Sequence, residues 1–531
     1  MPVVGVTTVP IVPFRVEVPV PFRLTDVVRQ HASTTDLVAL TFEGQTTTYA
    51  ELDRRAGLAA RAMAADGLGP GARVVWLGKN RPEFFDLLFG APRVRAGTAP
   101  LNNRLTHDEL IAIIEDSAAP LIVLGPDFAD LRGRAEAVDA VRRVLVVGED
   151  YESWLTASDE VLDPPEDAED GDCVLQLYTS GTTGLPKGVV LTHTQFGALL
   201  SVGNHWGFDT ESVGLVAMPL FHIGGSGFAL VCLWFGARVV LVADIVPDQL
   251  LATMADEGVT NAFLVPAVLQ FLAQVPGAAD RDWSKLRAIA YGASPITSAV
   301  LHRVLTTFGA PLFQVYGSTE TTGAITQLDP EDHDPEGPRA HLMRSAGKAY
   351  PWVELKAVDP ATGEDLPAGT VGEIWIRSSQ VTPGYWARPE ETATALAGGW
   401  FHTGDAGYLD DEGYLFLTDR IKDMIVTGAE NVYPIEVENV LSGHPDVADV
   451  AVIGVPDDTW GETVKAVVVP REGAQIDTEE LLAWCKERIA GFKRPRSVDV
   501  VDALPRNPSG KILKRDLRAP YWANAEGRSI G

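Results

Sequence analysis

A series of short, almost continuously apolar runs most constrains this chain: Val74–Leu77, Leu121–Leu124, Val144–Val147, Val174–Leu177, Val213–Met218, Val239–Val242, Ala288–Tyr291 and Leu312–Tyr316. A strand with one wet face alternates apolar and polar residues. A strand buried on both faces does not, and such strands belong to parallel sheets covered by helices. Helical patterns separate most of the runs. In residues 47–67, Thr48 and Glu51 have capping-box spacing, Leu52, Ala56, Ala59 and Met63 form one stripe, and Gly67 suits a stop.

The pattern changes after about residue 350. Val353–Val358, Val371–Arg377, Tyr408–Leu409 and Tyr414–Leu417 read as short, closely spaced strands, with a hairpin turn at Asp410-Asp411-Glu412-Gly413. Beyond Asp419-Arg420-Ile421-Lys422 a compact mixed segment is expected, with strands at Val450–Val455 and Val464–Val469 and a helix at Thr478–Ile489. The expected class is α/β. A large N-terminal domain, residues 1–421, would carry helix-covered sheets and a small β-barrel-like part, and a small α+β domain, residues 422–531, would follow. The length of 531 residues accommodates this.

Composition narrows the function. Lys and Arg number 43 against 72 Asp and Glu, a net charge of −29. A nucleic-acid partner needs clustered cations, so none is expected. Apolar residues at 46% and charged residues at 22% are values of a globular chain, not a disordered one. Cys173, Cys232 and Cys485 lie far apart with no Cys-x-x-Cys pair, against a disulfide framework or a cysteine zinc site, and a reducing cytoplasm fits. No signal peptide is expected, because Pro2, Pro10, Pro13, Pro19 and Pro21 interrupt the N-terminal apolar stretch. Ser212–Ala237 and Gly258–Ala279 are long and uncharged, but Pro219, His222, Gly224, Gly225 and Gly227, and Asn261, Pro266, Gln270 and Gln274, divide them into strand- and helix-sized pieces. Integral membrane association is therefore not expected.

Chemistry is concentrated in Tyr178-Thr-Ser-Gly-Thr-Thr-Gly-Leu-Pro-Lys-Gly-Val189, which follows an apolar strand. Thr179, Ser180, Thr182 and Thr183 alternate with Gly181 and Gly184, and Lys187 follows. Glycines let backbone N–H groups turn toward an anion, hydroxyls add donors, and the lysine adds charge, which together make a polyphosphate cradle. It is not a Walker A loop: Pro186 stands where the second glycine belongs and Gly188 where the Ser or Thr belongs.

This stretch resembles the phosphate-binding loop of the adenylate-forming superfamily, which includes acyl-CoA synthetases, peptide-synthetase adenylation domains and firefly luciferase. The resemblance continues in order. Tyr316-Gly317-Ser318-Thr319-Glu320 is similar to the family's Tyr-Gly-x-Thr-Glu motif, and His402-Thr403-Gly404-Asp405 to its Thr-Gly-Asp motif. Asp419-Arg420-Ile421-Lys422 with Gly428 is similar to its hinge and following loop, and Pro505-Arg506-Asn507-Pro508-Ser509-Gly510-Lys511 to its C-terminal lysine motif.

The resemblance implies ATP, Mg²⁺ and CoA as cofactors and a carboxylic acid as substrate. It implies that Glu320 offers Mg²⁺ a hard carboxylate beside the ATP phosphates. Tyr316 would offer a flat face to adenine, Gly292-Ala293-Ser294 a close backbone approach for the purine, and Asp405 and Arg420 partners for the ribose. Lys511 would lie between the attacking carboxylate and the α-phosphate. With Thr179 and His222, Lys511 and Glu320 make up the expected catalytic set. Lys422 would sit at a joint that swings the small domain between two arrangements, one for each half-reaction.

Met218-Pro-Leu-Phe-His222-Ile-Gly-Gly-Ser226 indicates the branch. Amino-acid-activating relatives place an Asp after the Phe; here His222 offers an ammonium group no partner. The resemblance instead puts His222 at an acyl pocket, with Gly225, Gly227, Ala293, Gly317 and Ser318 expected to leave room for an apolar tail. The short connection from Gly372–Arg377 to Pro383–Trp386 favours a complete CoA ligase over a fatty acyl-AMP ligase. Gly428 would let the pantetheine arm pass. Arg488, Lys493, Arg494 and Arg496 would meet CoA phosphates or form a solvated face. Ser529-Ile530-Gly531 is not a Ser-Lys-Leu peroxisomal address. The expectation is a cytoplasmic acyl-CoA synthetase acting on a fatty or related apolar acid. A carrier-protein thiol as acceptor, an aryl acid as substrate and a homodimer stay open.

Overall fold

The computed structural model describes residues 21–34, 36–179, 186–294, 296, 298–420, 423–427, 430–457, 461–506 and 512–522. Among these, two large sheets form the N-terminal part. One has nine strands, in spatial order Lys348–Ala349, Gly323–Leu328, Leu312–Ser318, Ala288–Gly292, Asn261–Leu264, Val213–Val216, Arg238–Leu241, Val38–Phe42 and Gln45–Thr48. The other has seven: Gly384–Tyr385, Lys187–Thr192, Cys173–Thr179, Gly97–Pro100, Arg73–Leu77, Leu121–Leu124 and Arg143–Val146.

The centres of both sheets are parallel, as the continuous apolar runs require. Val74, Val75 and Leu77 are wholly buried. The margins differ: Cys173–Thr179 pairs antiparallel with Lys187–Thr192, and Leu312–Ser318 pairs antiparallel with Gly323–Leu328. The motif residues lie between the two strands of each pair in sequence. A two-residue strand, Gly384–Tyr385, lies against Lys187–Thr192.

Helix Tyr49–Ala65 begins at Thr48, whose Oγ1 accepts the Glu51 N–H at 3.1 Å. The Glu51 carboxylate accepts from Arg54 and leaves the capping box half formed. Leu52, Ala56, Ala59 and Met63 are buried, and Gly67 ends the helix at φ +75°. The two uncharged stretches resolve into strand Val213–Val216 with helix Ile223–Trp234, and strand Asn261–Leu264 with helix Pro266–Gln274. Among the described residues no helix is long and apolar enough to cross a membrane.

The part expected to be barrel-like is a four-stranded antiparallel sheet, Val353–Val358, Gly372–Ser378, Phe401–Leu409 and Leu415–Arg420. The C-terminal part has its own sheet, in which Val447–Asp457 and Gly461–Pro470 form a long antiparallel pair with Ile425–Thr427, Glu430–Val432 and Ser497–Val500 beside it. Ile425, Val437, Leu441, Val452, Ala466 and Leu481 make a separate core there. Its helix Thr478–Lys486 is one turn shorter than expected.

Candidate functional site

Thr179, the last residue of its strand, is the cross-strand partner of Lys187, the first residue of the next. The pair is braced from behind. Arg73 Nε donates to Gln176 Oε1 at 2.8 Å, Gln176 Nε2 to the Tyr178 hydroxyl at 3.0 Å, and that hydroxyl to Asp116 Oδ2 at 3.1 Å. Asp116 also pairs with Arg388. Burial pushes the Tyr178 hydroxyl well above its usual pKa, so it stays a donor. Ser180, Gly181, Thr182, Thr183 and Gly184 lie outside the described residues, as do Lys422, Gly428 and Lys511.

Glu320 sits in the turn after Leu312–Ser318. Its carbonyl accepts the Thr382 N–H at 2.7 Å, and its Oε1 accepts the Tyr385 hydroxyl at 3.1 Å. The other face of the same tyrosine meets Lys187, whose Nζ lies 5.3 Å from the ring centroid. Thr382 Oγ1 donates to the Val190 carbonyl at 2.6 Å, tying the Glu320 turn to the phosphate hairpin. The turn is further held by Thr321 Oγ1, which accepts the Ser318 N–H at 2.8 Å. Thr322, at φ +53°, donates its hydroxyl to the Gln380 carbonyl at 2.7 Å. Ser318 Oγ is buried without a hydrogen-bond partner among the described residues.

Tyr316 and Asp405 meet: the phenol donates to Asp405 Oδ2 at 2.6 Å. Asp405 follows Gly404, at φ +68°, whose N–H donates to Glu373 Oε1 at 3.0 Å. Arg420 is the cross-strand partner of Asp405. Ala293 takes φ +67° directly after the buried strand Ala288–Gly292, an uncommon conformation for a residue with a Cβ.

His222 caps helix Ile223–Trp234, and its carbonyl accepts the N–H groups of Gly225 and Ser226 at 2.9 and 3.0 Å. Its Nε2 is buried with no hydrogen-bond partner among the described residues. Desolvation, aided by the Arg104 charge, lowers its pKa to about 4, so the ring is neutral at physiological pH. Asn80 holds the approach to it, donating to the Met218 and Val242 carbonyls at 3.1 and 3.0 Å and accepting the Leu220 N–H at 2.9 Å.

At three of the expected glycines neighbouring backbone stands where a Cβ would be. A Cβ on Gly317 would lie 1.8 Å from the Gly323 carbonyl oxygen, and one on Gly225 would lie 2.2 Å from that of Pro219. At both positions a carbonyl stands where a side chain would begin. A Cβ on Gly292 would lie 2.3 Å from the Val315 carbonyl oxygen, so this residue is fixed by the neighbouring strand. Gly227 and Gly224 face side chains instead, Ile223 and Leu199 for the first and Phe263 for the second.

The comparisons with known proteins decide the family. The model of the AMP-binding enzyme family matches residues 27–386, and that of the AMP-binding enzyme C-terminal domain matches 436–511. The chain belongs to the AMP-binding enzyme family. Among curated relatives, it is 40% identical to the fatty acid–[acyl-carrier-protein] ligase ScoC of Streptomyces coeruleorubidus, over 93% of this chain and 95% of that one. It is 39% identical to a feruloyl-CoA synthase from an Amycolatopsis species, over 93% and 98%. Among solved structures, ATP-bound MatB from Rhodopseudomonas palustris superposes with a TM-score of 0.86 at 31% identity, over 94% of this chain and 99% of that one.

As an AMP-binding enzyme the chain forms adenylates, and its expected site residues Lys187, Glu320, Tyr316 and Asp405 fall on two hairpins and one bulged strand. Sequence reading missed Tyr385, Thr382, Gln380 and Asn80. Pro383-Gly-Tyr-Trp386 ends the short connection from Gly372–Arg377, but nothing in its spacing shows which strand it joins. The basic cluster is partly engaged locally: the Arg488 guanidinium carbon stacks 3.5 Å from the Trp484 ring centroid, and Lys493 pairs with Glu436.

Proposed function

We propose that this enzyme activates a carboxylic acid with an uncharged, largely apolar body and transfers the acyl group to a thiol, with CoA as the acceptor. In the first half-reaction a carboxylate oxygen attacks the α-phosphorus of ATP, and pyrophosphate leaves with the electron pair of the broken P–O bond. In the second, the thiol sulfur attacks the acyl carbonyl, loses its proton, and expels AMP. The observation that carries the reading is His222: buried at the head of helix Ile223–Trp234, with its pKa lowered and its Nε2 without a hydrogen-bond partner among the described residues, it puts no negative charge where a substrate ammonium would need one.

In this reading the Thr179 hydroxyl and Lys187 ammonium bind phosphate, with the loop between them. Tyr316 faces the base and Asp405 accepts from the ribose. Among the described residues no cluster of three or more metal-ligating side chains exists, and Glu320 is a single hard carboxylate beside the phosphate hairpin. That suits Mg²⁺, which commonly takes one or two carboxylates together with substrate phosphates. When bound, the metal would neutralise phosphate charge. Lys511 stabilises charge on the α-phosphate in the first half-reaction only, and residues 422–531 rotate about Lys422 before the second. A cytosolic site of action fits the reading.

A carrier-protein thiol is the second reading, favoured by the 40% identity to a fatty acid–[acyl-carrier-protein] ligase. The test is pyrophosphate release across short, medium, long and aromatic acids, with the thioester identified by mass on CoA and on an acyl carrier protein. Acyl-CoA is the expected product. Acylated carrier protein without acyl-CoA would favour the second reading.

A further inference from the structure

Lys187, at the start of its strand, and Glu320, in the turn after Leu312–Ser318, carry opposite charges, yet among the described residues Lys187 forms no ion pair. Tyr385 occupies the place between them. Its hydroxyl donates to Glu320 Oε1 at 3.1 Å, and its ring carries Lys187 Nζ at 5.3 Å from the centroid. Tyr385 is itself fixed. Its strand pairs with Lys187–Thr192, with Tyr385 opposite Val189, and its N–H donates to Thr392 Oγ1 at 2.9 Å. Trp386 extends the hold, its N–H donating to the Gly188 carbonyl at 2.7 Å.

We infer that Tyr385 is a positioning residue that keeps the phosphate-loop lysine and the metal-facing carboxylate apart, so that both remain available to one ligand, a magnesium–polyphosphate. The inference rests on the role given to Glu320 above. A direct lysine–carboxylate pair would satisfy both charges before nucleotide arrives and would have to be broken for binding. A cation over an aromatic face is held weakly and exchanges readily for a phosphate oxygen. The phenol donates to one carboxylate oxygen and thereby orients the group without neutralising it. Tyr385 touches neither reacting atom; it acts through Glu320 and Lys187.

The two contacts separate by substitution. Tyr385→Phe keeps the ring for Lys187 and removes the donor to Glu320, whereas Tyr385→Leu removes both. The readout is binding, not turnover: Mn²⁺ affinity by electron paramagnetic resonance in the complex with α,β-methylene-ATP, and affinity for the same nucleotide by calorimetry in EDTA. Tyr385→Phe should weaken Mn²⁺ binding about tenfold, the loss of one hydrogen bond to a charged group, and leave metal-free nucleotide affinity unchanged. Tyr385→Leu should weaken both. In a Glu320→Gln background, Tyr385→Phe should change Mn²⁺ affinity less than about twofold, because the two act as one unit. Thermal unfolding of Tyr385→Phe close to that of the parent would show the fold retained. If Glu320→Gln weakens Mn²⁺ binding and Tyr385→Phe does not, or if the two losses multiply, the inference is wrong and the reading of Glu320 stands. If Glu320→Gln itself leaves Mn²⁺ affinity unchanged, the reading of Glu320 fails and takes the inference with it.

Discussion

The Tyr316 hydroxyl donates to Asp405 Oδ2 at 2.6 Å, joining the nine-stranded sheet to the four-stranded one through a single carboxylate. A carboxylate has about four acceptor positions, and the proposed reading assigns two of those of Asp405 to ribose hydroxyls. Asp405→Ala should raise the KM for ATP about 100-fold or more, the loss of two hydrogen bonds to a charged group at about 1.5 kcal/mol each. Tyr316→Phe, which keeps the ring, should raise it only a few-fold. Discrimination against 2′-deoxy-ATP should vanish in Asp405→Ala; its persistence would remove Asp405 from the ribose.

The glycine in the Tyr316-Gly317-Ser318 strand answers to the backbone of Gly323, 1.8 Å from where a Cβ would stand. Gly317→Ala should therefore lower the melting temperature and slow all acids by the same factor. A selective loss of long acids would show that the residue lines the pocket after all.

Asn80 makes buried bonds to Met218, Leu220 and Val242, fixing the loop that delivers His222. Asn80→Ala leaves these backbone groups unpaired and should cost about 2–3 kcal/mol by urea denaturation. The KM for the acid should rise while that for ATP changes little. Equal shifts in both would argue against a local effect.

His193 supplies a stability switch away from the site. Its Nδ1 accepts the Leu24 N–H at 3.0 Å, and desolvation, with the Arg23 charge adding and Asp172 and Asp170 opposing, lowers its pKa to about 4. The unfolded chain takes up a proton near pH 6.5 and the folded one does not, so stability is full above pH 6.5 and falls toward pH 4. The window is worth about 3 kcal/mol. His193→Gln, which can still accept the Leu24 N–H, should flatten the dependence of the urea midpoint on pH between 4 and 6.5. An unchanged slope would place the titration elsewhere.

The sequence made the parallel centres of both sheets legible because their strands are buried on both faces and read as unbroken apolar runs. It did not reveal Lys187–Thr192, where Lys187 and Gly188 interrupt the apolar pattern, nor Gly97–Pro100, whose Gly and Pro look like a turn. Candidate site residues could be named where chemistry asks for a particular side chain, as at Lys187 and Glu320, whereas Asp405 rested mainly on the family resemblance. Tyr385 and Asn80 act by joining elements far apart in the chain, and local pattern carries no trace of such contacts. At small residues composition cannot tell whether a glycine makes room for a ligand or for a carbonyl; a Cβ on Gly317 or Gly225 would meet a carbonyl.

The central claim is carboxylate activation through an acyl-adenylate, and acid-dependent exchange of labelled pyrophosphate into ATP measures it without the second half-reaction. The account predicts exchange with at least one aliphatic or aromatic acid, none without acid, and none with an amino acid as the only carboxylate. It predicts loss of exchange in Lys511→Ala, with conversion of supplied acyl-adenylate and CoA to thioester retained. Exchange independent of any acid, or its absence across the whole panel while ATP still binds, would contradict it.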